Sequence, residues 1–346
     1  MAWFYFLCCL CLYFSLPAVS LAYKIDQSCT QKGIEQDVRN AMTSAFEMAD
    51  AAIKLLTANP RNSDTIELLG FLFAKDGVDP RQLLDNGGLE KTTQVLRAIN
   101  NLYRDEVTGN APVSINDVII FCHYDRFKLI DKKKKLYRDL SNGIALKFDE
   151  QQCRGSMMDR ISLAVTVNPI SDEDVLMNGV KMSPEKPTQI QLCLWFVDWI
   201  KDRRFKLHND VARSNIGRAV IKLAESKNFG LRQIDAFSLL DKVLLHEMTH
   251  GRGAYTNTNT DVENVEGQVG LADVSSPNGF LALFGWAAYG WKAAMELARK
   301  GDNLGGENAP DNNADTIALL GSVCKLMDDP SNPRKVDVKG RIIPRK

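Results

Sequence analysis

One segment of the chain combines the residue types and the spacing that a catalytic metal site requires, Leu244-Leu-His-Glu-Met-Thr-His-Gly251. Two histidines four residues apart on a helix lie on the same face, one turn apart, where both imidazoles can bind a single Zn²⁺. The glutamate that follows the first histidine can place its carboxylate beside a zinc-bound water and accept its proton. His246 and His250 are therefore the predicted metal ligands, and Glu247 is the predicted general base.

The alternative interpretation of this segment is two surface histidines on an ordinary helix. Three observations argue against it. Two of the four histidines in the chain fall here, the residues just before them are apolar, and a glycine follows directly, which lets the chain turn back sharply. The other two histidines, His123 and His208, are expected to be ordinary surface or core residues.

A catalytic zinc site needs three protein ligands and one open position for water. No histidine follows His250, and no glutamate stands at a convincing spacing on a second helix. The third ligand is therefore expected to be an acid from the following loop. Asp261 is the first acid after His250, whereas Glu263, Glu266 and Asp273 lie further on. A solvated loop acid is the alternative interpretation of Asp261, because Asp is common in loops among Asn and Thr.

The pattern His246-Glu-x-x-His250 followed by a loop aspartate resembles the aspzincin metallopeptidases, the deuterolysin and peptidyl-Lys metallopeptidase families of fungi. The resemblance covers about residues 160–325. Thr258-Asn-Thr-Asp261 is similar to the T-x-x-D part of the ligand motif of the family. The glycine that leads this motif is Asn257 here and the Tyr-Gly that ends it is Asn264-Val265, but Tyr289-Gly-Trp291 is similar to that Tyr-Gly after an insertion.

The resemblance implies roles for individual residues. It makes Asp261 the predicted third ligand and Tyr289 a catalytic residue that donates a hydrogen bond to the oxyanion. A half-buried structural aromatic is the alternative for Tyr289, and Tyr255 lies nearer in the sequence. Asn313-Ala-Asp315 is similar to a segment of the family, so Asp315 either orients a ligand histidine or, the preferred interpretation, caps its own helix. Ile190-Gln-Leu-Cys193 resembles the strand that precedes the active-site helix.

The first residues of the chain indicate a secretory signal peptide. Residues 1–16 are almost wholly apolar and lack acids, and Ser20 and Ala22 fit the small-residue positions of a cleavage site after Ala22. A membrane anchor is the alternative, because the run is nearly as long as the roughly 20 residues that span a bilayer. Five cysteines follow the segment, and in an oxidising compartment we expect most of them to form disulfides. The protein is accordingly predicted to be secreted and extracellular.

The overall charge argues against a nucleic-acid partner, since Lys plus Arg and Asp plus Glu both number 43. The run Lys132 to Lys135 is expected to be a solvated turn rather than an anion site. The expected partners are protein or peptide substrates, with no membrane contact once the signal peptide is removed.

The periodicity of the chain predicts an α+β, zincin-like fold. In it a mixed or antiparallel sheet packs on the active-site helix, and additional helices precede it. Residues 23–330 form the predicted domain, with a helical part at 23–115 and a catalytic core at 116–330, and residues 331–346 form a loose basic tail. An edge strand is predicted near Gln189 to Trp195 from its polar–apolar alternation. Helices are predicted over residues 34–59, 63–72, 89–103, 210–225, 234–250, 282–299 and 315–327, and further strands over 118–122, 143–148 and 161–167.

These observations predict a secreted zinc-dependent endopeptidase that hydrolyses peptide bonds with a water activated by Glu247. The edge strand would align an extended peptide substrate through main-chain pairing. The alternative is a catalytically weak or inactive zinc-binding or host-interaction protein that keeps a zincin fold. The incomplete ligand motif favours this alternative, whereas the intact Glu247 argues against it.

Overall fold

The computed structural model describes residues 22–85, 87, 89–155, 162–171, 175–177, 180–182, 184–203, 232–237, 239–255, 270–277 and 287–345. The predicted ligand Asp261, the alternatives Glu263 and Glu266, His208 and the helix predicted over 210–225 lie outside the described residues. No helix within the described part of the chain is long and apolar enough to cross a membrane.

The described residues form a mixed α+β fold, as predicted. Its α-helices are α1 (Gln27–Lys32), α2 (Glu35–Thr57), α3 (Ser63–Leu72), α4 (Arg81–Asp85), α5 (Glu90–Leu102), α6 (Leu194–Arg203), α7 (Gln233–Ala236), α8 (Leu239–His250), α9 (Trp291–Lys300) and α10 (Ala314–Asp328). Three of the predicted helices are confirmed, because α2, α3 and α5 begin and end within two residues of the predicted bounds. The buried residues Val38, Met42, Ala45 and Ala49 of α2 follow the helical repeat and face the core.

The central sheet is mixed and has five strands in the order β2-β1-β3-β10-β7. These strands are β1 (Ala22–Ile25), β2 (Asp105–Glu106), β3 (Val118–Phe121), β7 (Ala164–Val167) and β10 (Thr188–Leu192). All neighbours pair in parallel except β10 and β7, which pair antiparallel. Ala22, the last residue of the predicted signal peptide, is the first residue of β1, and its N–H donates a 2.9 Å hydrogen bond to the buried Asp117.

The edge strand predicted near Gln189 to Trp195 is wrong, because β10 is an inner strand and is buried along its whole length. Its glutamines do not face solvent. The amide of Gln189 donates to Ser141 Oγ at 2.7 Å, and the amide of Gln191 donates to the Leu192 carbonyl at 2.7 Å. The polar–apolar alternation of β10 therefore reflects one apolar face and one face of buried, hydrogen-bonded glutamine amides, not a face exposed to water. Among the described strands β7 forms this edge of the sheet, and Trp195 belongs to α6.

The helix that carries both histidines, α8, packs against α2, α10 and β7. The helix predicted over 234–250 is divided, because Phe237 adopts an extended conformation after α7. The packing of α8 is close. A Cβ at Gly321 of α10 would lie 2.7 Å from the end of the Leu245 side chain, so the two helices approach closely at this glycine.

Two disulfides join the described cysteines, in agreement with the prediction that most of them pair. Cys29 is bonded to Cys122 and Cys153 to Cys193, whereas Cys324 is a buried free thiol. The odd cysteine is thus a core residue of α10.

The C-terminal segment is not the loose tail that its composition predicts. β11 (Arg334–Val336) pairs antiparallel with β12 (Ile342–Pro344), and Val336 is buried. Two cations of this segment form ion pairs with Asp64 of α3. Lys335 and Arg345 lie 3.0 and 2.8 Å from its two carboxylate oxygens. Ion pairs and a few apolar contacts therefore fix the hairpin on the domain.

Two smaller sheets complete the described structure. β4 (Phe127–Asp131), β5 (Leu136–Asp139) and β6 (Ala145–Lys147) form an antiparallel meander, and β8 (Val175–Met177) pairs with β9 (Val180–Met182). The strand predicted over 143–148 corresponds to β6.

Candidate metal centre

Three side chains converge beyond the C-terminal half of α8. His246 Nε2 lies 3.2 Å from His250 Nε2, and Asp273 Oδ1 lies 3.2 Å from the first nitrogen and 3.5 Å from the second. Within the described residues this is the one group of three or more His, Cys, Asp or Glu side chains that could hold a metal ion. The predicted histidine pair is thus joined by Asp273, which was one of the alternatives to Asp261.

The spacing of these atoms fits a small tetrahedral metal ion. Zinc bonds of about 2.0–2.1 Å place neighbouring ligand atoms of a tetrahedron about 3.3–3.4 Å apart. The three observed separations, from 3.2 to 3.5 Å, span this value. Two imidazole nitrogens and one carboxylate oxygen are a donor set that suits zinc, and they leave a fourth position open.

Both histidines present the correct nitrogen to this position. His250 Nδ1 lies 2.6 Å from the Leu271 carbonyl oxygen. A carbonyl only accepts, so Nδ1 carries the hydrogen and Nε2 has a free lone pair when the ring is neutral. His246 Nδ1 faces Asp315, at 3.7 Å from its Oδ1, which likewise turns Nε2 toward the cluster. The two rings are nearly perpendicular, with their centroids 4.9 Å apart.

Asp273 is delivered by a short segment that returns against the end of α8. Gly270 has a φ of +132°, and a Cβ there would overlap the His250 carbonyl group, so this close approach requires glycine. The N–H of Leu271 then donates to the Thr249 carbonyl at 2.9 Å, and that of Ala272 to the Asn312 carbonyl at 3.0 Å. The backbone before Asp273 is therefore held on both sides, by α8 and by the turn that precedes α10.

Glu247 is buried and held by the outer strand of the sheet. The hydroxyl of Thr166 on β7 lies 2.6 Å from Glu247 Oε2 and 3.2 Å from the Glu247 carbonyl oxygen. A hydroxyl has one hydrogen to donate, and the shorter contact to the carboxylate takes it. One carboxylate oxygen of Glu247 is thus fixed against β7.

Tyr289 lies at the open side of the cluster. Its ring centroid is 5.7 Å from that of His246, and its hydroxyl donates a hydrogen bond to Asp273. Loss of hydration, followed by the charge of Asp273, raises the pKa of Tyr289 above its usual value. The residue is still 43% exposed, so it borders solvent as well as the predicted ligands. Tyr289 precedes α9, which begins at Trp291 rather than near residue 282.

The charges at the cluster favour a cation between its members. Burial acts to lower the pKa of His246, but Asp273 and Asp315 outweigh it and hold that pKa well above its usual value. The same competition between burial and Asp273 raises the pKa of His250. Burial acts to raise the pKa of Asp273, but the two imidazoles outweigh it and hold that pKa well below the usual range. Positive charge at this point is therefore stabilised by the surrounding carboxylates.

Asp315 does not cap α10, contrary to the preferred interpretation of the sequence. The N-cap position is Asn313, and the Asp315 carboxylate points back to the site. Its Oδ2 accepts the Gly290 N–H at 2.6 Å, and its Oδ1 lies 3.7 Å from His246 and 3.9 Å from the ammonium of Lys242. Asp315 thus joins the segment that bears Tyr289 to a predicted ligand.

The structure separates the predicted site residues and adds one, Thr166, that the sequence did not single out. The structure brings His246, Glu247, His250 and Tyr289 together, Asp261 lies outside the described residues, and Asp273 and Thr166 complete the arrangement. The side chain of Tyr255 is not described, whereas His123 lies away from the cluster beside Gln31, as expected of an ordinary histidine. One sequence signal for Asp273 was present: Gly270, after a polar loop, marks the point where the chain can return against α8.

Comparison with protein-family models, with curated proteins and with solved structures finds no match to this chain.

Proposed function

We propose that this protein is a secreted zinc-dependent endopeptidase whose metal is held by His246, His250 and Asp273. The observation that carries the proposal is the convergence of two imidazole Nε2 atoms and one carboxylate oxygen within 3.2–3.5 Å, beside a buried glutamate. Two disulfides among the described residues suit an oxidising compartment, in which secreted proteins fold. In this proposal the resemblance to aspzincins extends to the fold and the chemistry, while the ligand aspartate is Asp273.

Zinc at this position would supply Lewis acidity, which polarises a carbonyl group and makes water a better nucleophile near neutral pH. Glu247 is the group in this chain that takes the proton from the attacking water. Its carboxylate neighbours the cluster, and Thr166 occupies one of its oxygens, so the other remains to accept the proton. After the attack Glu247 passes this proton to the leaving amine.

Tyr289 has a different task in this proposal. Its raised pKa keeps the hydroxyl protonated, and a neutral phenol donates rather than accepts at a site where negative charge develops. During the reaction the Tyr289 hydroxyl must donate its hydrogen bond to the oxyanion instead of to Asp273. Its position at the exposed side of the cluster permits this change of acceptor. Asp315 orients His246 and does not touch the substrate.

The substrate is expected to be an extended peptide that pairs with β7. This strand is the outer strand of the central sheet among those described, and Thr166 on it contacts Glu247 directly. Main-chain hydrogen bonds to an edge strand align a peptide without reading its sequence. The proposal thus transfers the aligning role from the inner strand β10 to β7.

The test compares wild type with Glu247→Gln, each purified with zinc and assayed on casein and on a mixed peptide library. Wild type should cleave both, lose activity with a chelator and regain it with added zinc. Glu247→Gln should keep its zinc, because Glu247 is not a ligand, and lose about 10²–10⁴-fold in activity. Metal content is measured on the same samples.

Glu185→Gln is the matched control, because Glu185 lies 3.3 Å from Arg252 just beyond α8 and is not part of the cluster. It should keep both zinc and activity. Full activity in Glu247→Gln would overturn the proposed chemistry. Zinc binding without cleavage in wild type would favour the alternative, a zinc-binding protein without turnover.

A further inference from the structure

The meander formed by β4, β5 and β6 differs in charge from the rest of the chain. We define the basic lobe as residues 127–148. It contains seven Lys or Arg and two Asp, although the whole chain carries no net charge. One of the two acids, Asp139, is buried against Arg126 at 3.1 Å. The exposed surface of the lobe is therefore strongly cationic.

The register of the lobe gathers three of its cations on one face. Lys128 pairs with Arg138 across β4 and β5, and Leu136 with Lys147 across β5 and β6, which places these residues on one face. On the other face Leu129 pairs with Tyr137, which pairs with Leu146. One face thus carries three cations beside Leu136, and the opposite face carries Leu129, Tyr137 and Leu146.

The cations of the lobe lack neutralising partners. Lys128, Arg138 and the turn Lys132 to Lys135 form no ion pair with any residue that the structure describes, and Lys147 lies 3.8 Å from Glu150. Asp131 forms no described ion pair with these lysines; its Oδ1 accepts the backbone N–H groups of Lys133 and Lys134. Six exposed positive charges therefore remain available to an external anion.

Apolar side chains stand next to these charges at the tip of the lobe. Leu129 and Ile130 are 49% and 47% exposed, and Asp131 alone separates them in the sequence from the four-lysine turn. A glycan or a nucleic acid would use the charges but not the aliphatic side chains. A bilayer surface would use both, because headgroups attract lysines while aliphatic groups enter the boundary with the acyl chains.

The lobe is fixed to the domain rather than loosely attached. The guanidinium of Arg126 bonds Asp139, Gln191 and Gln152, and it lies 4.0 Å and 4.2 Å from the ring centroids of Phe121 and Phe127. The base of the lobe is thus fixed to the central sheet.

We propose that the basic lobe docks this protein on bilayers that contain anionic lipid, with Leu129 and Ile130 at the headgroup boundary and Lys132 to Lys135 against the headgroups. This replaces the expectation of no membrane contact after removal of the signal peptide. The proposal does not depend on the peptidase function, since the lobe and the metal centre share no residue.

The test is flotation of the purified protein with vesicles of phosphatidylcholine alone, or with about one third phosphatidylserine. Wild type should bind the anionic vesicles only, and more weakly as salt is raised. Replacing all four lysines at 132–135 by Gln should lower the partition coefficient at least about tenfold. The Leu129→Ser, Ile130→Ser double variant should lower it several-fold at unchanged charge.

The charge-matched control replaces Lys75, Arg97, Lys201 and Lys292 by Gln, since these cations lie outside the lobe. It should bind anionic vesicles like wild type. Equal loss in the control would show that only net charge matters and would overturn the proposal. Absence of binding to anionic vesicles would overturn the proposal too. So would retention on heparin that is stronger than binding to the vesicles and is unchanged in the Leu129→Ser, Ile130→Ser double variant. Circular dichroism checks that each variant is folded.

Discussion

The hydroxyl of Thr166 on β7 donates a 2.6 Å hydrogen bond to the carboxylate of Glu247 on α8. This contact joins two segments that lie 81 residues apart, and it connects the strand proposed to bind the peptide with the proposed general base. Movement of β7 would therefore reorient the Glu247 carboxylate.

Thr166→Val should lower peptidase activity by about tenfold while zinc content stays unchanged. Valine keeps the β-branched shape, but the carboxylate loses a charge-assisted hydrogen bond. Steady-state kinetics with a peptide substrate measure the effect, and Thr166→Ser should restore most of it by returning the hydroxyl. A Thr166→Val enzyme with wild-type kinetics would separate the contact from function.

Asp273→Asn should weaken zinc binding by about 100-fold or more, because it removes the anionic ligand that lies 3.2 Å from His246 Nε2. Asp261→Asn, the matching change at the aspartate predicted from sequence, should leave zinc affinity near that of wild type. Competition with a chromophoric chelator gives both affinities. The opposite ranking of the two variants would return the third ligand to Asp261.

The two candidate aspartates show which part of the site the sequence predicts. His246, Glu247 and His250 are fixed by the helical repeat alone, so local spacing is enough to bring them together. Asp273 arrives through a tertiary contact, in which Gly270 packs on the His250 carbonyl. No periodic pattern specifies where a loop returns to a helix, so the sequence alone does not rank Asp273 against Asp261, which the family resemblance favours.

The fold shows a similar limit. The length and the apolar repeat of α2 and α3 specify those helices almost to the residue. The alternation in β10 correctly indicates a strand but not its place in the sheet, because Gln189 and Gln191 are buried and hydrogen-bonded. A polar side chain that faces a polar interior has the same sequence signature as one that faces water.

Asp315→Asn should lower zinc affinity by about 10–100-fold, the usual effect of losing a carboxylate that orients a ligand histidine. The variant also leaves the buried ammonium of Lys242 without its neighbour at 3.9 Å, so some loss of stability is expected. Asp311→Asn is the control, because Asp311 is equally buried but accepts the Gly305 N–H away from the site. Equal zinc affinities in the two variants would leave Asp315 a purely structural role.

Asp241→Asn should reduce the dependence of stability on pH. Asp241 lies on α8, where it accepts a hydrogen bond from Ser44 of α2, and burial raises its pKa to about 7 despite that bond and the charge of Lys325. The unfolded chain has a pKa near 3.9 at this residue. Because the folded value is the higher one, the contribution of Asp241 to stability is fully present below about pH 4 and is lost as the pH rises through about 7.

Urea unfolding at pH 5 and pH 8 measures this difference. Between these values wild type should lose roughly 2–4 kcal/mol more of its free energy of unfolding than Asp241→Asn, because asparagine does not ionise. Asp76→Asn, at an exposed acid on the surface, should retain the wild-type pH dependence. Parallel pH profiles for wild type and Asp241→Asn would mean that Asp241 is already ionised in the folded protein at pH 5. In that case the buried charge would have to be balanced by Lys325, whose ammonium donates a 2.6 Å hydrogen bond to Ser44 Oγ beside it.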